Sequence, residues 1–401
     1  MARYVAPDTA PVERAREAHR ARTGADPKRV ASAPGTWVLI GENVDHFGGV
    51  TLAGTASLRA AAAFSERDDD VISIAATSSL GDTFEAQTTL AELSDGTPQD
   101  PLARRWAGLV QTLIQRQLLS RDTAGLDITI AGDVPLGAGL GALYACDCAI
   151  ALALAGGSEE VDTAPFRTRL AEVCSHAVAT YSSLALLRAR HTVALRGGEQ
   201  ISVVDYADGS LTQAPSPSRH GARVFSLATE LGRPHDRQKE AIAARRDFID
   251  AAAANFGVTS LRQLPENVER VVQWVNARSE AGDETAPEAG VARSWVQFCE
   301  TETLRSLAAA KALRSRRGNE LFTLLNSPSE QHDLETPDAL VALARERGAQ
   351  AARPAATGTS DAVIAFVPLD AADDFAEGMA AEFEVVEVLP GEVARVDEAA
   401  P

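Results

Sequence analysis

Gly35-Thr36-Trp37-Val38-Leu39-Ile40-Gly41-Glu42-Asn43-Val44-Asp45-His46-Phe47-Gly48-Gly49 is the stretch on which the reading of this 401-residue chain turns. Ala33 to Ile40 is a short apolar run and predicts a strand. It feeds a loop bracketed by glycines, in which Glu42, Asn43, Asp45 and His46 stand close together. An ionised carboxylate accepts several O–H bonds, and charge-assisted bonds are the stronger kind. Such a loop suits the neighbouring hydroxyls of a sugar. A solvated acidic turn fits the same residues.

A second stretch, Val134-Pro135-Leu136-Gly137-Ala138-Gly139-Leu140-Gly141, closes a predicted strand over 126–130 and opens an apolar helix running to about Ala155. Glycines let backbone N–H groups turn toward an anion, and a helix N-terminus favours negative charge. The spacing is neither the Walker A loop nor the dinucleotide fingerprint. A tight strand-to-helix turn is the plainer account of the same glycines.

Outward from these two stretches the pattern predicts helices near 9–24, 101–120 and 164–190. Val71 to Ala76 reads as a strand, and His191–Leu195 and Ile201–Tyr206 as a hairpin around Gly197-Gly198. Pro215-Ser216-Pro217-Ser218 is the strongest boundary signal. Beyond it, 236–256, 265–280, 288–313, 318–326, 336–348 and 370–382 read as helices, and 363–367 and 383–389 as strands. Elements are mixed without strict βαβ alternation, which points to an α+β chain of two domains, 1–215 and 216–390. Residues 391–401 read as a disordered polar tail.

Composition narrows the partners. Lys and Arg number 38 against 56 Asp and Glu, a net charge of −18. That argues against nucleic acid and against an anionic membrane as the partner. The four cysteines lack disulfide or zinc spacing and read as buried reduced thiols. No secretory leader or membrane span is legible, so a cytoplasmic protein is expected.

The two stretches together resemble the galactokinase family of the GHMP kinase superfamily. The first resembles that family's Gly-Arg-x-Asn-Leu-Ile-Gly-Glu-His-Thr-Asp-Tyr-x-Gly-Gly signature, the second its Pro-x-Gly-Ala-Gly-Leu-Ser-Ser-Ser phosphate loop. Residues 351–367 align with the Gly-Ala-Arg-Met-Thr-Gly-x-Gly-Phe-Gly-Gly-Cys stretch, 245–264 with an Arg-Arg helix, and 292–305 with an Arg-x-x-His-Val-x-x-Glu helix. The resemblance spans about 15–368. It implies the two-lobed GHMP kinase fold, with an N-lobe of mixed sheet plus helices and a C-lobe of helices packed on an antiparallel sheet. It also implies Glu42, Asn43, Asp45 and His46 as sugar-binding residues. Gly137, Ala138, Gly139, Leu140, Gly141 and Gly358 fall in its nucleotide-phosphate loops.

The departures from the family are concentrated on charge. The family's Arg falls on Thr36, its catalytic Asp within two residues of Ala189, and its three loop serines on Gly141, Ala142 and Leu143. A sugar-contacting Tyr falls on Ile242, and no metal ligand is legible. His191 is a possible substitute base, since imidazole titrates near neutrality. Losing one electrostatic group in such a site typically costs about 10²–10³ in rate. The expectation is therefore a catalytically impaired galactokinase-like pseudokinase with a sugar ligand or a protein partner and a regulatory role. The alternative is an active ATP-dependent sugar 1-kinase with a rearranged site, which would need ATP and Mg.

Overall fold

The computed structural model describes residues 3–232, 238–328 and 334–397. Strands β1 (Arg29–Ile40), β2 (Val50–Arg67), β3 (Val71–Thr77), β4 (Thr83–Thr89), β5 (Gly125–Gly132), β6 (Ile201–Asp205) and β7 (Ser210–Ala214) build the first sheet, with β12 at its edge. Strands β8 (Ala222–Ala228), β9 (Ala351–Pro354), β10 (Val363–Pro368) and β11 (Glu384–Glu387) build the second. The strand β12 is Arg395–Asp397. Helices α1 (Pro11–Thr23), α2 (Leu90–Asp95), α3 (Pro101–Gln115), α4 (Ala142–Ala155), α5 (Ala164–Tyr181) and α6 (Arg188–Arg196) accompany the first sheet. Helices α7 (Lys239–Phe256), α8 (Asn267–Glu280), α9 (Ala289–Arg314), α10 (Gly318–Leu325), α11 (Asp338–Glu346) and α12 (Ala372–Ala380) follow.

The first sheet runs β12-β1-β2-β5-β3-β4, with β6 and β7 branching from β2. It is mixed: β3 and β5 are parallel and the other pairs antiparallel. The second sheet, β11-β8-β10-β9, is wholly antiparallel. Both agree with the fold implied by the resemblance.

Strand β2 is the spine of the first sheet, and the sequence pattern hid it. Its centre is Ala60-Ala61-Ala62-Ala63, which has no β-branched residue to signal a strand. Tertiary packing overrides the helical propensity of alanine there. All four alanines are buried, paired to β1 on one side and β5 on the other. Ala60 and Ala62 pack in clusters with residues of α4, while Ala61 and Ala63 pack with Ala15 of α1 on the other face.

Three local expectations change. His191–Leu195 is part of α6, not of a hairpin; the hairpin is β6–β7. The helix expected over 164–190 stops at Tyr181, because the chain turns there and restarts as α6. Burial explains both: Ala189, Arg190, His191, Val193, Ala194 and Leu195 are covered by the layers around them. The polar tail is also corrected in part. Ala394 is fully buried, and 395–397 pair with Val30, Ala31 and Ser32 of β1. Residues 398–401 lie outside the described residues.

One core cluster joins the two sheets. Trp37, Leu39 and Ile40 of β1 and Val134 and Leu140 of the second glycine loop pack with Ile364 and Phe366 of β10 and Leu313 of α9. The two loops singled out in the sequence are thereby held at the junction.

Candidate functional site

The loop after β1 is fixed by its apolar members. Val44 and Phe47, three residues apart, are buried among Phe248, Ile249, Val271 and Val296 of α7, α8 and α9. The turn before them needs Gly41, whose φ is +90° and where a Cβ would lie 2.2 Å from the Val50 carbonyl oxygen. Anchored this way, the loop presents Glu42, Asp45 and His46.

Glu42 is used by the protein itself. Its Oε1 accepts the Ala356 N–H at 2.8 Å and its Oε2 the Thr357 N–H at 2.8 Å. It is a clasp between the first loop and the loop of Gly358, rather than an open sugar ligand. Gly358 has a φ of +82° and sits over Ile242, the position of the expected sugar-contacting Tyr.

Asp45 is the free end of the loop. Its side chain is only 6% exposed, with Oδ1 3.6 Å from Arg246 Nη2 and Oδ2 3.8 Å from His46 Nε2. Burial alone would raise its carboxyl, but Arg246, His46 and Arg188 hold it below the usual carboxylate range. Asp45 Oδ2 makes no hydrogen bond. His46 Nδ1 is 2.8 Å from Asp250 Oδ2, so His46 bridges two carboxylates. The Asn43 carbonyl accepts the Cys299 thiol at 3.9 Å.

The second glycine loop has Gly137, Gly139 and Gly141 at φ +86°, +66° and +68°. A Cβ on Gly139 would lie 2.5 Å from the Ala355 Cβ, so this glycine is required by close approach. The carbonyls of the loop are already taken. Ser360 Oγ donates to Gly137 O at 3.1 Å, and Ser226 Oγ to Ala138 O at 2.6 Å. Arg190 Nη2 donates to Gly139 O at 2.9 Å, and the Thr36 N–H to Leu140 O at 2.8 Å. Arg190 Nη1 also donates to the Thr36 carbonyl. The cavity against the loop is about 70 Å³ and is lined by Leu136, Leu143, Leu184, Ala185, Ala356 and Arg190 among others.

Thr36 and Gly141 therefore meet, and an unpredicted residue, Arg190, lies against both. A Cβ on Gly141 would stand 2.9 Å from Arg190 Nη1 and 2.9 Å from Thr36 Oγ1. The guanidinium of Arg190 thus occupies the space of the missing serine, beside the missing Arg and next to the missing Asp. Arg190 lies one residue after Ala189 in the first turn of α6, which is what brings its guanidinium to the loop.

His191 does not serve as a substitute base. It is fully buried, with Nδ1 3.0 Å from Ser175 Oγ and Nε2 3.0 Å from Asp147 Oδ2. Burial drives its pKa below the ordinary value despite Asp147 beside it. Asp147 in turn accepts Arg105 Nε at 2.9 Å and Nη2 at 2.5 Å. This network locks α3, α4, α5 and α6 together and does not open on the cleft.

The resemblance implies a magnesium triphosphate at this loop, and the hydroxyls nearest it are turned onto backbone carbonyls. Among the described residues no group of three or more His, Cys, Asp or Glu is arranged to hold a metal ion. The hydroxyl of Thr359 is committed to Ala356 O and that of Ser360 to Gly137 O. No helix among the described residues is long and apolar enough to cross a membrane.

Comparison with known proteins bears on the family and the fold. The galactokinase galactose-binding signature matches residues 17–66. Galactokinase of Streptomyces coelicolor is 27% identical over 253 residues, 62% of this chain and 62% of that protein. Human galactokinase is 34% identical over 131 residues, 31% of this chain and 32% of that protein. The chain thus aligns with less than two thirds of the length of these relatives. The Lactococcus lactis galactokinase solved with galactose superimposes with a TM-score of 0.72, over 96% of this chain and 99% of that one, at 17% identity. That likeness establishes the fold.

Proposed function

Because this chain belongs to the galactokinase family of the GHMP superfamily, we propose that it is a galactokinase-like protein that keeps a sugar-binding cleft and has lost phosphoryl transfer. The observation that carries the reading is the Arg190 guanidinium. It is buried in the phosphate loop and bonded to the Thr36 and Gly139 carbonyls. Phosphoryl transfer depends on positioning and on charge neutralisation. Here the cation at the loop braces the backbone, and Ala189 stands where a carboxylate would orient the attacking hydroxyl. Binding without turnover suits a regulatory role, with the sugar as signal.

An active sugar 1-kinase, converting galactose and ATP to galactose 1-phosphate and ADP, would have to use Asp45 as proton acceptor. A carboxylate held below its usual range by neighbouring cations is a poor one at neutral pH. An ADP-release assay with Mg-ATP and galactose tests the proposal, together with calorimetry of nucleotide. The expected result is no turnover above background and weak or absent nucleotide binding. Turnover that Asp45→Ala abolishes would overturn it.

A further inference from the structure

Two guanidiniums, those of Arg188 and Arg246, stand close to Asp45, in a chain of net charge −18. Arg188 opens α6, and its guanidinium lies 5.3 Å from the centre of the Tyr206 ring. It acts on the Asp45 carboxylate from a distance, with no hydrogen bond and no ion-pair contact within 4.0 Å among the described residues. Arg246 reaches the same floor from α7. One of its N–H groups donates to the Leu186 carbonyl, and its Nε is buried with no partner. A guanidinium has five N–H donors, so donors remain beyond the Leu186 carbonyl and the Asp45 carboxylate 3.6 Å away. The N-terminus of the nine-residue α6 has no side-chain cap, and such an end attracts negative charge.

The opposing charge is Asp45, with Glu42 turned away onto backbone N–H groups and Asp250 held by His46. Asp45 Oδ2 is buried and accepts no hydrogen bond. A buried acceptor left open is costly, and a ligand hydroxyl would satisfy it. The site thus asks for hydroxyl donors at Asp45 and for an anion at Arg188 and Arg246.

Building on the sugar-cleft reading above, we infer that the ligand is a polyhydroxylated anion, a sugar carrying a carboxylate or a phosphate. Its hydroxyls bond Asp45, and its anionic group lies against Arg188, Arg246 and the start of α6.

Titration calorimetry of the full chain with galactose, galacturonate, galactose 1-phosphate and inorganic phosphate tests this. At least one of the two anionic sugars should bind tenfold or more tightly than galactose. The tighter of the two identifies the carboxylate or the phosphate as the recognised group. Arg188→Ala should narrow that preference to less than threefold, with Arg188→Lys restoring part of it, and added salt should weaken the anionic sugars selectively. Four results would overturn the inference: equal affinity for galactose and both anionic sugars, inorganic phosphate binding as well as galactose 1-phosphate, no effect of Arg188→Ala or Arg188→Gln, or no binding by any of the four. ADP release from galactose would instead overturn the reading of the preceding subsection, and so separates the two failures.

Discussion

Arg190 donates through Nη1 to the backbone carbonyl of Thr36 beside Gly141, and so joins two positions that read as separate departures in the sequence. Thr36 stands for the family Arg, Gly141 for the first loop serine and Ala189 for the catalytic Asp. With a serine at 141 the guanidinium would have no room, and with an arginine at 36 two cations would crowd one carbonyl-lined recess. The backbone at Thr36 and Gly141 meets at one buried cation.

That coupling is measurable. Gly141→Ser alone should destabilise by about 2–4 kcal/mol, from left-handed backbone and from overlap with Arg190 and Thr36. Arg190→Gln removes the obstacle. The double variant should therefore be more stable than the sum of the singles by at least about 1 kcal/mol, as expected for residues in contact. Urea unfolding of the four proteins measures the cycle, and strict additivity would refute the shared-space account.

Glu42 tests which role the first loop plays. Both carboxylate oxygens are spent on the Ala356 and Thr357 N–H groups. Glu42→Gln leaves one acceptor oxygen and turns an amide donor toward an N–H. Unfolding should cost about 2–3 kcal/mol less than for the parent chain, since hydrogen bonds to charged groups are the stronger ones. A variant that unfolds like the parent but loses sugar affinity would restore Glu42 as a direct ligand.

What the sequence allowed to be read follows from the kind of signal. The two glycine-bearing loops were legible because left-handed backbone and close approach leave few choices of residue, as at Gly41 and Gly139. Strand β2 was not, because its alanine centre owes its conformation to neighbours on both sides. The pairing of 395–397 with β1 was not, because it depends on an edge that only the folded sheet provides. Within the site, Asp45 was found from its loop, whereas the positions of Arg188, Arg190 and Arg246 depend on where two helices begin and cross.

The Asp147 network bears on stability rather than on chemistry. Arg105 and His191 both bond a carboxylate that is 1% exposed. Asp147→Asn leaves a buried guanidinium without its counter-charge, and the expected loss is about 3–5 kcal/mol. Thermal and urea unfolding should show it. His191→Ala should likewise destabilise while leaving sugar affinity within a factor of two, and a selective loss of affinity would bring His191 back into the site.

Asp133, at the root of the phosphate loop, gives the chain a pH response of definite sign. Burial pushes its carboxyl up to about 6, and Arg14 beside it only partly offsets the effect. In the unfolded chain the same group titrates at its ordinary value near 4. Between these values the folded state holds more protons than the unfolded one, so this group's contribution to stability falls as pH rises. The fall is complete above about pH 6 and amounts to something on the order of 2–3 kcal/mol, at about 1.4 kcal/mol per unit. Asp133→Asn cannot ionise and should lack this drop. Relative to the parent chain it should gain stability between pH 4 and pH 7, as read from paired urea unfolding curves. A stability difference that stays constant across that range, or that moves in the opposite direction, would show that the Arg14 ion pair outweighs burial at this carboxyl.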